Sequence, residues 1–217
     1  MSIDTYADLK TEVQADLART DLAARIQRWV SQAEKLIFRG GVFEGRRVSG
    51  LRTREMEKIN ATLTATGGKF AVPSDYISPL ELRLASDLSI TQKYLPSEQL
   101  FKQENETYTD GTGYYSEIAS EIYVRPSPAD ATAFWLRYVH SPAALTETTQ
   151  ETNAIFPLYS DLYFEATLWK AFEYVRNYEA ASRKLQTVVA MIDGYNRERI
   201  SERQGEAALV IAPYMAA

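Results

Sequence analysis

The chain of 217 residues contains no cysteine. This absence excludes disulfides, thiol catalysis and metal sites held by thiolates. No apolar run approaches the roughly 18 to 20 residues that a membrane-spanning helix needs, and the N-terminal segment is polar and acidic, unlike a signal peptide. The sequence therefore predicts a protein that is stabilised by packing or assembly, without membrane contact, in the cytoplasm or on a particle built there.

Recognisable catalytic and cofactor motifs are also missing. The sequence has no HExxH motif, phosphate-binding glycine loop, dinucleotide fingerprint or calcium loop. The single histidine, His140, lies at the end of a predicted strand. No nucleophile in a recognisable motif, such as a nucleophile elbow, accompanies it, which favours a structural histidine over a general base. We assign no catalytic, metal-binding or cofactor-binding residue and predict that the chain is not an enzyme. Pairs among its 29 acidic residues leave a glycosidase-type alternative open.

Positive charge is in short supply as well. The formal net charge is −5 and the sequence pI is about 5.1. A protein that grips nucleic acid over a broad surface needs an excess of cations to neutralise phosphates, so this balance argues against such a function. Passive proximity to DNA stays possible.

Apolar residues recur at helical spacing towards both ends of the chain. The first two predicted helices carry the stripes Tyr6, Leu9, Val13 and Leu17, then Leu22, Ile26, Trp29, Val30, Ala33 and Ile37. The last two carry Leu158, Leu162, Ala166, Trp169 and Phe172, then Leu185, Val188, Met191, Ile192 and Tyr195. Gly40 and Gly205 are the expected ends of the second and last helices, and Asn177 is the expected break between the last two.

Between residues 56 and 140 the period changes to two, which predicts β-strands. Leu80, Leu82 and Leu84 alternate with polar residues. A second run should place Phe134, Leu136 and Tyr138 on one face. A short helix is expected from Ser97, and an exposed loop over residues 104–113.

The order of helices, strands and helices predicts an α+β fold. Neither helical pair can bury its stripe alone, so the N- and C-terminal helices are expected to form one bundle with an inserted antiparallel β module. The predicted divisions are an N-terminal helical hairpin with a basic loop, the β-rich module, the helices that complete the bundle, and a C-terminal tail, at residues 1–53, 54–145, 146–204 and 205–217.

Five arginines lie between positions 39 and 54 of this acidic chain. Two interpretations stay open: a solvated connection, or a basic arm that orders on an acidic neighbour. On the second interpretation the candidate inter-subunit residues are Arg46, Arg47 and Arg52, together with Trp29 and Trp169. For the two tryptophans, packing in the core of the subunit is the alternative use.

The C-terminal segment carries apolar residues with no polar alternation. The candidate docking residues are Leu209, Val210, Ile211, Pro213 and Tyr214. Their types favour extended structure up to the proline, and an extended segment can add a strand to the sheet of a partner. A tail that packs back on its own bundle is the alternative.

Seven segments, in this order, carry a resemblance to a known family. They are YADLK at 6–10, DLAARIQRWVSQAEKLI at 21–37, REME at 54–57, VPSDY at 72–76, LPSEQL at 95–100, VRPSP at 124–128 and YSDLY at 159–163. Their order and spacing resemble tailed-phage head-to-tail adaptor (connector) proteins across nearly the whole chain. The arginine-rich segment and the loop at 104–113 depart from shorter relatives.

The resemblance implies a virion structural protein at the head-to-tail junction, assembled in the host cytoplasm. It implies a homo-oligomeric ring, usually dodecameric, that lines a DNA channel between the portal protein and the tail or nozzle proteins. In such adaptors the C-terminal segment docks on the portal, which here corresponds to residues 205–217. Two other functions stay open: another neck or tail ring protein, such as a head-completion protein or tail terminator, and a carboxylate-dependent peptidoglycan hydrolase at the neck.

We predict that reversing the charge of Arg46 and Arg47 impairs ring formation on the portal more at low salt than at high salt. The reason is that salt screens the repulsion which the reversal introduces. Rings are counted by electron microscopy at both ionic strengths. If this variant assembles normally, only the interpretation of the segment as a solvated connection is left.

Overall fold

The structure, a computed structural model, describes residues 3–43, 46–103 and 113–211, with the side chains of Arg46 and of residues 202–211 left aside. Over these residues the chain forms five α-helices and ten β-strands, with helices near both ends, which confirms the α+β class. It divides into a helical unit, Met1–Met56 with Pro142–Ala217, and a β unit, Glu57–Ser141. None of the described helices is long and apolar enough to cross a membrane.

The α-helices are α1 Tyr6–Leu17, α2 Ile26–Arg39, α3 Ser97–Leu100, α4 Ser160–Tyr174 and α5 Tyr178–Ile211. Four of the α-helices carry the predicted apolar stripes, except that Leu22 and Leu158 precede α2 and α4 and are not part of them. Helix α1 begins with a capping box in which the Thr5 hydroxyl accepts from the Asp8 N–H and the Asp8 carboxylate accepts from the Thr5 N–H. Helix α2 ends at Gly40, whose φ of 70° terminates it as predicted.

Helix α4 occupies the centre of the helical unit. Its buried residues lie on most of its circumference: Leu162, Tyr163, Ala166, Thr167, Leu168, Trp169 and Ala171. Helices α1, α2 and α5 all contact it. A helix that is apolar all round has to be surrounded, so both ends of the chain are needed to bury α4.

The end of α5 corrects a sequence expectation. Gly205 does not end the last helix, which continues to Ile211. A glycine inside a helix costs only about 1 kcal/mol relative to alanine. The surrounding residues 197–208 are rich in Arg, Glu, Gln and Ala, which favour helix and outweigh that cost. Asn177 does mark the predicted break, because α4 ends at Tyr174 and α5 begins at Tyr178.

Two four-stranded sheets make up the β unit. The strands of the chain are β1 Gly41–Phe43, β2 Arg46–Val48, β3 Glu57–Thr64, β4 Lys69–Ala71, β5 Tyr76–Leu84, β6 Asp87–Thr91, β7 Lys93–Tyr94, β8 Tyr114–Ile118, β9 Glu121–Arg125 and β10 Ala133–His140. One sheet has the order β3-β10-β5-β6 and the other β4-β9-β8-β7, while β1 and β2 pair within the helical unit. All pairs are antiparallel except the parallel pair of β7 and β8.

The core of the β unit confirms one predicted strand face and corrects another. Phe134, Leu136 and Tyr138 of β10 are buried together, as predicted. In β5, Leu82 is fully buried, but Leu80 is 36% exposed. Glu81 pairs with Arg137 and Pro79 with Tyr138, so Leu80 is an extra residue in the ladder. This bulge turns Leu80 away from the face of Leu82 that the period of two predicts.

A buried carboxylate joins α2 to the segment that returns from the β unit. Glu34 is 4% exposed, and its Oε1 accepts a hydrogen bond of 2.9 Å from the Leu145 N–H. Gln27 Nε2 donates to the Leu145 carbonyl oxygen at 2.7 Å. Burial raises the pKa of Glu34 to about 7, although the hydrogen bond from Leu145 opposes the rise.

We predict that Glu34→Gln removes a pH dependence of stability. Because the pKa of Glu34 is higher in the folded chain than in the unfolded chain, the folded state binds more protons between about pH 4.5 and 7, and the free energy of unfolding falls as pH rises through that range. Glutamine keeps the acceptor but does not ionise, so the variant should gain up to about 3 kcal/mol over the wild type by pH 8 and little at pH 4.5. Urea unfolding at both pH values measures this, with the exposed Asp16→Asn as control. Parallel pH profiles for the wild type and Glu34→Gln would contradict it.

Candidate assembly surface

The arginine-rich segment forms a β-hairpin that begins where α2 ends. Val42 pairs with Arg47, and Gly41 with Val48. The predicted loop is therefore wrong for 41–43 and 46–48, because β-branched and aromatic residues there favour strands. A Cβ at Gly40 would lie 2.1 Å from the Val48 carbonyl oxygen, so the base of the hairpin requires a glycine.

The candidate arginines differ in what they do. Arg52 Nη1 donates to the carbonyl oxygens of Phe38, at 2.9 Å, and Leu51, at 2.7 Å. Burial lowers the pKa of Arg52. Phe38 lies in the last turn of α2, where a cation is favoured by the helix dipole. Arg52 thus holds its own subunit together, whereas Arg47 is exposed and the side chain of Arg46 lies outside the described residues.

An asparagine that sequence patterns do not single out completes this junction. Asn196 of α5 accepts from the Arg52 N–H at 2.8 Å and donates to the Gly50 carbonyl oxygen at 3.1 Å. The side-chain amide therefore joins residues 144 and 146 positions away in the sequence. Nothing in the local sequence around Asn196 signals so distant a contact.

The two candidate tryptophans are buried inside the helical unit. Trp29 packs against Tyr174 with ring centroids 5.5 Å apart. Trp169 makes an edge contact of 5.4 Å with Phe43 of the hairpin, and Lys170 Nζ lies 3.8 Å from the centroid of its indole. This burial corresponds to the core alternative, and it leaves both indoles little surface to offer a neighbouring subunit.

A groove lies between the hairpin and α5, both in the helical unit. It measures about 310 Å³ and is lined by Phe43, Arg47, Val48, Ser182, Leu185, Gln186, Val189, Ala190 and Asp193. Val42, on the same hairpin, is 70% exposed. An exposed apolar residue beside a mixed apolar and charged groove is typical of a contact surface for another chain. Among the inter-subunit candidates whose side chains the structure describes, Arg47 is the one that lines this groove.

The C-terminal candidates divide between described and undescribed residues. Leu209, Val210 and Ile211 form the last turn of α5. The extended conformation is expected for them on docking, with a different fold before it, so it stays a prediction. Pro213 and Tyr214 lie outside the described residues.

The single histidine lies near a carboxylate that accepts hydrogen bonds from two other side chains. His140 Nδ1 lies 3.2 Å from the Ser141 carbonyl oxygen and 4.0 Å from Asp75 Oδ2. Asp75 also accepts from Lys58 Nζ at 2.7 Å and from the Tyr138 hydroxyl at 2.9 Å. Across the described ranges, no group of three or more His, Asp or Glu residues is placed to hold a metal ion.

The helical unit, built from segments on both sides of the β unit in the chain, thus carries a groove beside its hairpin. A family model identifies the class of protein to which this chain belongs. The model for the SU10 adaptor protein matches residues 4–210, so the chain belongs to that family, a family of phage head-to-tail adaptors. The resemblance carried by the seven sequence segments is thereby confirmed. A search of curated proteins finds no match.

We predict that Arg52→Ala and Arg47→Ala affect stability differently. Arg52→Ala removes two hydrogen bonds from a largely buried guanidinium and should cost about 2 kcal/mol of unfolding free energy. Arg47→Ala, on the exposed strand of the same segment, should change it by less than about 0.5 kcal/mol. Denaturant unfolding of both proteins tests the contrast. Equal costs would mean that Arg52 does not hold the junction.

Proposed function

We propose that this chain assembles into a homo-oligomeric ring, dodecameric as is usual for such adaptors, between the portal and the tail or nozzle proteins at the virion neck. The match of the adaptor family over residues 4–210 carries the proposal. Assembly would take place in the host cytoplasm, before or during tail attachment. The subunit has an exposed groove on its helical unit, as a protein that packs against copies of itself requires.

The ring would surround a channel for viral DNA. A formal charge of −5 on every copy supports this use, because a closed ring multiplies the charge around the channel. Like charge keeps the DNA backbone from adhering to the wall as it passes. The interaction with DNA would therefore be weak and independent of sequence.

The C-terminal end of α5 is our candidate for portal docking. Helix α5 has 34 residues and is thus roughly 50 Å long. Its last turn contains three successive apolar residues, Leu209, Val210 and Ile211. An apolar groove on the portal that receives this last turn as a helix would bury all three.

We predict that the purified protein, mixed with portal, forms rings that cap it. Free subunits are expected to be monomers or weak oligomers, because the portal supplies the binding energy that orders the ring. Electron microscopy of the mixture, with light scattering of the free protein, tests this. A stable closed dimer that never associates with the portal would contradict it.

A second prediction concerns docking through α5. Replacing Leu209, Val210 and Ile211 with alanine preserves helix propensity but removes apolar bulk, so portal binding should weaken at least about tenfold. The melting temperature should stay within about 2 °C, because a docking element can be changed without unfolding the free subunit. Gln204→Ala is the matched control on the same helix. Binding as tight as that of the control would refute docking through this turn.

A further inference from the structure

The beginning of α2 and the end of α4 present cationic side chains together at one end of the helical unit. We call this surface the basic end and define it by Arg25, Arg28, Lys170, Tyr174 and Arg176. The Arg25 guanidinium lies 5.5 Å from the centroid of the Tyr174 ring, so the two helix ends are side by side. Arg25, Arg28 and Arg176 are all exposed, and their charges therefore face water.

A groove at the basic end is lined mainly by hydrogen-bond donors. It measures about 270 Å³, and its donors besides the buried Trp29 are Arg25, Arg28, Gln32, Lys170 and Tyr174. Arginine, lysine, glutamine and tyrosine are residue types whose side chains contact phosphate oxygens in protein–DNA complexes. The carboxylate in the lining, Glu173, is paired with Lys170 at 2.7 Å and is thereby neutralised. The groove is therefore suited to an anion.

The charge of the basic end stays positive when its surroundings are counted. The stretches 16–28 and 170–183 meet there, with the cations Arg19, Arg25, Arg28, Lys170, Arg176 and Arg183 and the carboxylates Asp16, Asp21, Glu173 and Glu179. Arg19, Lys170 and Arg183 each form an ion pair with one of these carboxylates. Over the described ranges, Arg25, Arg28 and Arg176 form no ion pair. Cations thus outnumber carboxylates at this surface, although the chain as a whole is acidic.

Two of these arginines have an unfavourable position within the subunit. Arg25 immediately precedes α2 and Arg28 lies in its first turn, which contains no acidic residue. The dipole of a helix places partial positive charge at this end and disfavours cations there. An anion from outside the subunit would relieve the repulsion, because both the helix end and the guanidinium groups attract it.

We propose that the basic end is a contact site for the phosphate backbone of DNA. The inference rests on the proposed ring and states which surface of each subunit meets the DNA that the ring surrounds. Arg25 and Arg28 are three positions apart, so their Cβ atoms are about 5–6 Å from each other and both guanidinium groups can bind phosphates of one strand. Such contacts hold the DNA without reading its sequence.

The rest of the subunit keeps this contact weak. Outside the two stretches at the basic end, the chain has a larger excess of negative charge than it has as a whole, and this excess repels DNA. The DNA is therefore held at one surface of the wall without being stopped. A protein segment rich in carboxylates is the other source of anions. DNA is favoured over it because the groove consists of phosphate-binding donor types and the proposed ring brings DNA past every copy.

Neutralising two arginines tests the contact. The double variant Arg25→Gln, Arg28→Gln loses two phosphate contacts, and each contact contributes about 0.9 to the slope of log affinity against log salt. Between about 50 and 200 mM salt, the affinity of the wild type for a labelled duplex of about 20 base pairs should therefore fall about tenfold more than that of the variant. Fluorescence anisotropy of the duplex measures both affinities.

The matched control is the double variant Lys35→Gln, Arg39→Gln. It also removes two exposed cations of α2, and it has the same formal charge as the test variant. The control should keep the salt dependence of the wild type, because its cations lie farther along the helix. Circular dichroism and melting temperatures verify that every variant is folded.

Three results would overturn the DNA contact. The first is a wild type that does not bind the duplex at low salt. The second is a control that loses as much salt dependence as the test variant, because DNA would then respond only to net charge. The third is poly-glutamate that binds as tightly as the duplex through the same arginines, which would assign the basic end to an acidic protein.

The proposed function is judged by a separate measurement. Rings of the wild type on the portal leave it standing whatever the anisotropy shows. A wild type that forms no ring on the portal overturns it, whereas binding of the duplex through Arg25 and Arg28 is measured on the free subunit.

Discussion

The burial of α4 is the constraint on which the helical unit depends. This helix has apolar residues on nearly every side, so no single neighbour can remove it from water. Helices α1 and α2 come from one end of the sequence and α5 from the other. The β unit lies between them in the sequence, and the residues that flank it, Met56 and Pro142, both belong to the helical unit.

Specific polar contacts join the distant segments that surround α4. Glu34 and Gln27 hold the backbone of Leu145 where the chain returns from the β unit. Where the chain leaves the hairpin, the Asn196 side chain accepts from the Arg52 N–H, and the Arg52 guanidinium donates to the Phe38 carbonyl oxygen. Such contacts add little net stability each, but a buried polar group without its partner is costly, so they select one register of the helices over others.

A ring subunit has to fold stably by itself and still carry exposed surfaces that become buried only against a neighbouring subunit. In this chain Trp29 and Trp169 belong to the first requirement, because they are buried within the subunit. The exposed Val42 and the groove beside it are suited to the second, since they combine apolar area with charge. The division explains why tryptophans alone are poor markers of an assembly surface here.

The α+β class, the approximate helices, the buried face of β10 and the family can all be predicted from the amino-acid sequence. These follow from local periodicity, capping residues and short motifs, which need no knowledge of distant contacts. Prediction from the sequence failed at Leu80, where a bulge changes the side of the strand, and at Gly205, where strong helix formers outweigh one glycine. At both positions, conformational preferences of adjacent residues compete, and their free energies are similar in size.

Which charged residues stabilise the subunit and which face outward depends on how the helices and the hairpin pack. Arg47 and Arg52 are indistinguishable in the sequence, but Arg52 is held by carbonyl groups of α2 and Arg47 lies at the groove. Likewise Arg28 and Tyr174 acquire their surroundings from helices that are far apart in the chain. The physical reason is that burial and electrostatic surroundings are set by packing between segments, and a linear pattern records only the residues that lie next to one another along the chain.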